Sequence, residues 1–231
     1  MKHLYVFGLL AVAFLSAANL TAAPVEEEGF VPMFNGKDLS GWDGKEGGWW
    51  VEDGAITSES TTEKPCLKHH YLFWETAKPA DFILRFRYKL VGGNSGVQIR
   101  SKKLDGYDAW GYQADMESPG QWTGCLFQHD REAVVKRGFT AVIAEDGSRQ
   151  DTPIGDPAEL QKVVKEGEWN DYEVSAIGSK ITLRINGELM CEVDDRDAKM
   201  ACKDGYIAVQ MHPGPPMKIQ FKDLRIRVID N

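Results

Sequence analysis

The chain has 231 residues, 42% of them hydrophobic and 27% charged, a balance that suits one sizeable β domain better than two small ones. A formal net charge of −8 with no basic cluster excludes a nucleic-acid backbone as partner, because phosphate binding needs a positive surface. Seven tryptophans and 23 glycines fit turn-rich β structure, and also surfaces that stack on flat sugar faces.

The first segment reads as a leader. Lys2 and His3 precede the apolar run Leu4–Leu15, and small residues lead into Ala22-Ala23-Pro24. That order predicts a secretory signal over 1–23, cut near Ala22 or Ala23. The run is too short for a comfortable bilayer span, so the mature protein is expected to be exported, to the periplasm or outside the cell. A flexible acidic lead follows over 24–29, and a single domain over 30–231. Export permits disulfides. Cys66, Cys125, Cys191 and Cys202 show no zinc-type spacing. Cys191 and Cys202 flank an expected turn and could meet; buried free thiols are the equal alternative.

From Phe30 the chain alternates short strands and turns, with Asp53-Gly54 as a hairpin signal. Asp81–Val91 gives the clearest strand: Phe82, Leu84, Phe86, Tyr88 and Leu90 alternate with Ile83, Arg85, Arg87 and Lys89. Gly92–Gly96 then reads as a loop, with Asn94 and Ser95 at its tip. Strands are expected at Val97–Arg100 and Tyr112–Met116. Between Glu117 and Asn170 regularity falls away. One helix is expected there, with Asp156 as N-cap, Pro157 as first helical residue and Gly167 as stop. The tryptophan and apolar residues of this long segment favour an ordered loop. Strands resume at Trp169, with Asn186-Gly187 as a strong hairpin turn, and close with "GYIAVQMH" and "KIQFKDLRIRVI". The pattern predicts an all-β fold: a two-sheet antiparallel jelly-roll sandwich with one short helix in a long loop.

Three strands carry an amide followed two residues on by a charged or ionisable group: Gln98/Arg100, Gln113/Asp115 and Gln210/His212. A period of two puts each pair on one face of its strand. Exposed polar residues are the rule on solvated strands. Three such pairs, if their strands adjoin, would make one floor able to orient a polyhydroxyl ligand and move protons. An Asp115–Arg100 cross-strand ion pair is the bland account of the charges, worth about 0.2–1 kcal/mol if exposed. Trp110 and Trp122 flank the Gln113/Asp115 strand and are candidates to stack on a sugar. His69-His70 cannot form a single-site ligand pair on a strand, since neighbours point to opposite faces. His129-Asp130 falls in the irregular segment, as a lid or a plain loop. G-x-S-x-G, H-E-x-x-H and phosphate-cradling glycine loops are absent.

"FNGKDLSGW", "WWVEDGAITS", "DFILRFRYKL", "GNSGVQIRS", "GYQADM" and "MKIQFKDLRIRVI" together resemble the 3-keto-disaccharide hydrolase family, long called domain of unknown function 1080. The resemblance spans the mature chain in order. It implies a concanavalin A-like (laminin G-like) jelly roll, and cleavage of glycosides already oxidised at C3 by a separate upstream sugar oxidoreductase. A 3-ketone acidifies the C2 proton; a base removes it, the C1 aglycone leaves by β-elimination, and water adds to the enone. Such a site needs a base, donors for the enolate oxygen and an acid for the leaving oxygen. The expected base is His212 or Asp115; Arg100 is expected to stabilise the enolate; Asn94, Gln98, Gln113 and Gln210 hold hydroxyls. A divalent cation bridging the 3-keto oxygen and 2-hydroxyl fits this chemistry, with Asp115, Gln113 and His212 as ligands, although the sequence has no diagnostic metal spacing. The competing readings are a non-catalytic carbohydrate-binding module and an inert structural domain, because fold does not give function.

Overall fold

Turn chemistry sets many of the strand boundaries. Asp53 (φ 50°) with Gly54 (φ 73°), and Asn186 (φ 50°) with Gly187 (φ 87°), take the left-handed pairs that a two-residue hairpin turn requires. The structure is a computed structural model that describes residues 27–229. The expected leader and the first half of the acidic lead, 24–26, lie outside the described residues. In chain order the strands are β1 (Val31–Pro32), β2 (Trp42–Gly44), β3 (Trp50–Glu52), β4 (Ala55–Ser60), β5 (His70–Trp74), β6 (Phe82–Val91), β7 (Gly93–Leu104) and β8 (Asp108–Ser118). Then come β9 (Leu126–Gln128), β10 (Glu132–Val135), β11 (Phe139–Ile143), β12 (Arg149–Pro153), helix α1 (Pro157–Gln161) and β13 (Asn170–Ile177). The last four are β14 (Lys180–Ile185), β15 (Glu188–Asp195), β16 (Tyr206–Met211) and β17 (Met217–Val228).

These strands form two sheets. One has ten strands, in the order β12-β11-β15-β14-β13-β6-β17-β4-β3 with β1 on β17; the other has seven, β10-β9-β8-β7-β16-β5-β2. The expected all-β two-sheet sandwich is what forms. It departs from a purely antiparallel one at β11, which runs parallel to β15 after the chain has crossed over from the other sheet. The core lies between the sheets. From β6, Phe82, Leu84, Phe86, Tyr88 and Leu90 are all buried, as the alternation predicts. They belong to one cluster with Val97 and Ile99 of β7, Tyr112, Ala114 and Met116 of β8, and Ile207, Val209 and Met211 of β16. Each such large apolar side chain stabilises the fold by about 1.5–3 kcal/mol. Because the odd or even set faces inward, the alternate set on β7, β8 and β16 must face out.

The segment Glu117–Asn170 is more regular than its sequence suggests. Four short strands, β9 to β12, run through it, none longer than five residues. Side-chain bonds rather than periodicity hold it. The buried Arg137 guanidinium donates to Pro157 O (2.9 Å), Gly120 O (3.1 Å) and Thr123 O. The helix begins as expected, Asp156 accepting from the backbone of Ala158 and Glu159, but ends at Gln161. The loop expected at Gly92–Gly96 is short. Gly92 and Gly93 have positive φ, and Asn94 and Ser95 already belong to β7. No disulfide forms among the described residues: Cys66, Cys125, Cys191 and Cys202 are free thiols. No described helix is long and apolar enough to cross a membrane.

Candidate active site

The three strands that carry the amide pairs adjoin, in the order β8-β7-β16. Gln98 sits directly opposite Gln113 across β7 and β8, and opposite Ala208 on β16. The amides form one closed network. Ser101 Oγ donates to Gln98 Oε1 (2.5 Å), and Gln98 Nε2 donates to Gln113 Oε1 (3.0 Å). Tyr71 OH also donates to Gln113 Oε1 (3.2 Å) and accepts from Gln210 Nε2 (2.7 Å). Gln113 Nε2 gives its two protons to Asp115 Oδ1 (2.7 Å) and Gln210 Oε1 (3.2 Å). Every polar atom of Gln113 is thus committed, which fixes its rotamer; a buried amide left unpaired would cost about 1–3 kcal/mol. Gly96 makes room for it. A Cβ there would lie 2.5 Å from the Gln113 side chain. Ser95 ties the strands together beneath, donating to Gln210 O at 2.7 Å.

Above this floor lies a cleft of about 350 Å³ lined by Asn94, Gln113, Asp115, Trp122, Gln210 and His212, together with His69, Phe127 and His129. Six expected residues therefore converge. Gln98 lies beneath the lining, fully buried in the network. Two expectations are corrected. Arg100 faces away from the cleft. A bulge between Ile99 and Lys102 puts two β7 residues against one of β8, and Arg100 adopts φ 48° at that point. Its guanidinium turns to Ala80 O (2.7 Å), Gly178 O (2.8 Å) and Asp81 Oδ1 (3.0 Å), and Ser101 takes the position beside Gln98. The Asp115–Arg100 ion pair does not exist; the pair is Asp81–Arg100. Trp110 is the second correction. It stands three residues from Gln113, an odd number, so the pleat turns it to the other face. There its Nε1 donates to Asp130 Oδ2 (2.7 Å) and Lys102 lies over its ring. Two larger grooves, of 580 and 680 Å³, lie elsewhere, and Arg100 lines the second.

His212 follows the end of β16. Its Nδ1 meets Pro213 O at 2.6 Å, so Nδ1 carries the proton and Nε2 is left as a base. Burial holds this ring below the ordinary imidazole range, against the pull of the Pro213 carbonyl, and charge on His69 lowers it further. Asp115 is the opposite case. Burial raises its carboxyl well above the carboxylate range, more than the Gln113 bond lowers it, and Glu117 adds to the rise. An imidazole shifted down and a carboxyl shifted up thus line one cleft, the surroundings favouring the neutral form of each. Asp115 Oδ1 is taken by Gln113, which leaves Oδ2 to carry the proton.

Beside the expected Trp122, the wall of the cleft comes from residues the strand pattern did not single out. Rings meet edge to face from Trp122 to Phe127 (centroids 6.3 Å), Phe127 to His129 (5.4 Å) and His129 to His69 (6.3 Å). Trp122 is placed by its backbone N–H on Glu117 Oε2 (3.0 Å). His69 precedes β5 and points into the cleft, whereas His70 turns the other way to accept from Trp49 Nε1 (3.1 Å). That split was legible from the pleat; the use of His69 was not. Among the described residues no three His, Cys, Asp or Glu side chains form a group that could hold a metal ion, and no step is routed through a cation.

Known proteins agree with this architecture. A curated 3-keto-disaccharide hydrolase from Bacteroides thetaiotaomicron is 24% identical to this chain over 264 residues, covering 94% of this chain and 84% of that protein. A solved Parabacteroides distasonis structure named as a glycosyl hydrolase superposes with a TM-score of 0.60 at 19% identity, covering 87% of this chain and 99% of that one. Carbohydrate binding module CBM66 from Bacillus subtilis superposes at 0.53 and 14% identity, over 81% of this chain and 95% of that one. At such identities these two structures establish the shared fold. The profile of the 3-keto-alpha-glucoside-1,2-lyase-like domain matches residues 29–227, and the chain belongs to that family.

Proposed function

We propose that this protein cleaves 3-keto-glycosides, with His212 as the base that removes the C2 proton. The observation that carries the reading is the pairing of a neutral, anchored imidazole with a buried protonated carboxyl above a fixed amide floor. Family membership and the name of the Bacteroides relative support the substrate class.

In this reading His212 Nε2 takes the C2 proton, and the C2–H electron pair moves toward C3, placing negative charge on the 3-keto oxygen. The Asp115 Oδ2 proton is donated toward that oxygen as the charge develops, the part once expected of Arg100. A neutral acid at a buried position serves this purpose without a buried charge in the resting state. The enolate collapses, the C1–O bond breaks, and a C1=C2 double bond forms. Water then adds at C1 while His212 returns the proton to C2. The net reaction is hydrolysis. Gln210 and Asn94 orient hydroxyls, and Trp122 gives a face for stacking. The chemistry requires a sugar oxidised at C3, so an oxidoreductase acting on free or bound sugar must supply it. The basic-then-apolar start of the chain supports action outside the cytoplasm.

The test is release of aglycone from a 3-keto-glucoside and from its unoxidised parent, for wild type and His212→Ala. Release from the keto sugar alone, falling about 10²–10⁴-fold in the variant, is expected. Saturable binding without release from either sugar would turn the reading to a carbohydrate-binding module, the description attached to the CBM66 neighbour.

A further inference from the structure

With His212 taking the C2 proton and Asp115 serving the 3-keto oxygen, the leaving oxygen has no assigned proton donor among the three amide pairs. We propose that His69 is a catalytic residue, the general acid for the departing C1 oxygen, and that Asp108 is its positioning residue. This rests on the elimination reading above.

The geometry is that of a base and its orienting carboxylate. His69 Nε2 lies 2.8 Å from Asp108 Oδ1, and the ring borders the same cleft as His212. Asp108 is itself fixed, at the first residue of β8, by the Ala109 N–H at 2.7 Å. Burial pushes this carboxyl up, but the His69 bond, the Ala109 N–H and the charges of His69 and Lys68 outweigh it and leave the group below its ordinary value. The partner of His69 is therefore a full negative charge, which holds the ring by one nitrogen. Nδ1 is left to give its proton to a bound ligand. His212 and His129 have no such carboxylate bond among the described contacts. Burial lowers both, and a charge on His69 lowers both further. One cleft thus holds one imidazole bonded to a carboxylate and a second bonded to a backbone carbonyl, and that difference in partners tells acid from base.

Around His69 stand Asp108, with Lys68 at 3.6 Å from its other oxygen, the His129 ring at 6.3 Å, the Tyr71 ring at 5.9 Å, and the charge-coupled His70 and His212. The proton balance closes with these groups. As the C1–O bond breaks, its electron pair goes to the aglycone oxygen, which takes the Nδ1 proton of His69. Neutral His69 then removes a proton from the water that attacks C1, while His212 gives back the C2 proton. Both rings end as they began, and aglycone plus 3-keto sugar equals glycoside plus water.

The experiment compares two leaving groups. Methyl 3-keto-glucoside needs a proton on its departing alkoxide, whereas 4-nitrophenyl 3-keto-glucoside expels a stable phenolate unaided. His69→Gln, which keeps a hydrogen-bond donor toward Asp108, is expected to lose about 10²–10⁴-fold in the first-turnover rate of aglycone release on the methyl substrate and less than about tenfold on the nitrophenyl one, a rate that precedes the water step common to both. Asp108→Asn, which keeps an oxygen facing His69 Nε2 but lacks the charge, is expected to slow first-turnover release from the methyl substrate far more than from the nitrophenyl one, a split that a merely structural role would not produce. Equal first-turnover losses on both substrates, by His69→Gln or by Asp108→Asn, would overturn the assignment while leaving the elimination intact. Wild-type protein inert on both keto sugars would overturn the elimination reading and this inference with it. Urea midpoints of both variants separate a chemical loss from a folding one.

Discussion

Arg100 offers a test that divides stability from chemistry. Its side chain is 3% exposed, and its three described bonds go to Ala80 O, Gly178 O and Asp81 Oδ1. Asp81 also receives the Gly178 N–H at 3.0 Å, so the guanidinium and carboxylate together pin the Gly178 turn against the bulge. Arg100→Met keeps most of the volume and removes the charge. Removing one member of a buried ion pair strands the other and costs about 3–5 kcal/mol. The individual charged hydrogen bonds, at about 1.5–3 kcal/mol each, are part of that figure and do not add to it. For a domain of this size each kcal/mol corresponds to about 2–4 °C in Tm, so a fall of about 6–20 °C is expected. The assay is thermal or urea unfolding beside kcat/KM on a 3-keto-glucoside, measured well below the new midpoint. Activity per folded molecule should stay within a few-fold of wild type. An unchanged Tm with kcat/KM down a hundredfold would refute the bulge argument and return Arg100 to the cleft.

Two further outcomes follow from burial. Asp115→Asn keeps the acceptor for Gln113 Nε2 but cannot ionise. The wild-type carboxyl has its folded pKa raised well above the unfolded value, so the native state holds a proton that the unfolded chain releases. The stability this confers is whole below about pH 4, where the unfolded aspartate is also protonated. It is lost as pH rises toward the folded pKa. Tm of Asp115→Asn minus that of wild type should therefore grow between about pH 4 and 7 while turnover collapses; a difference that shrinks over that range would contradict a protonated Asp115. Since the described thiols are free, with Cys191 and Cys125 buried, reductant should leave Tm unchanged, and a drop of several degrees would reveal a disulfide.

Much of the fold was legible because strand and turn signals are local. The alternation of Phe82 to Leu90 names the buried face of β6 without any partner, and Asp53-Gly54 and Asn186-Gly187 need only their own backbone preferences to turn the chain. The same pleat placed Gln113 with Asp115 and Gln210 with His212, and separated His69 from His70. The strands of Glu117–Asn170 were hidden because Arg137 and similar side-chain bonds organise them, and such bonds have no period in the sequence.

What only tertiary structure decided is which of these faces meet and where the pleat breaks. The bulge at Arg100 depends on how β7 pairs with β8, and one extra residue there sends the guanidinium to the far side of the sheet. His69, Phe127 and His129 reach the cleft from segments separated by up to 60 positions, so their use depends on the packing of the chain and not on spacing. The upward shift of the Asp115 carboxyl likewise comes from burial, which no neighbour in sequence confers. Period two assigned the chain its faces; pairing, register and desolvation turned one of those faces into a site.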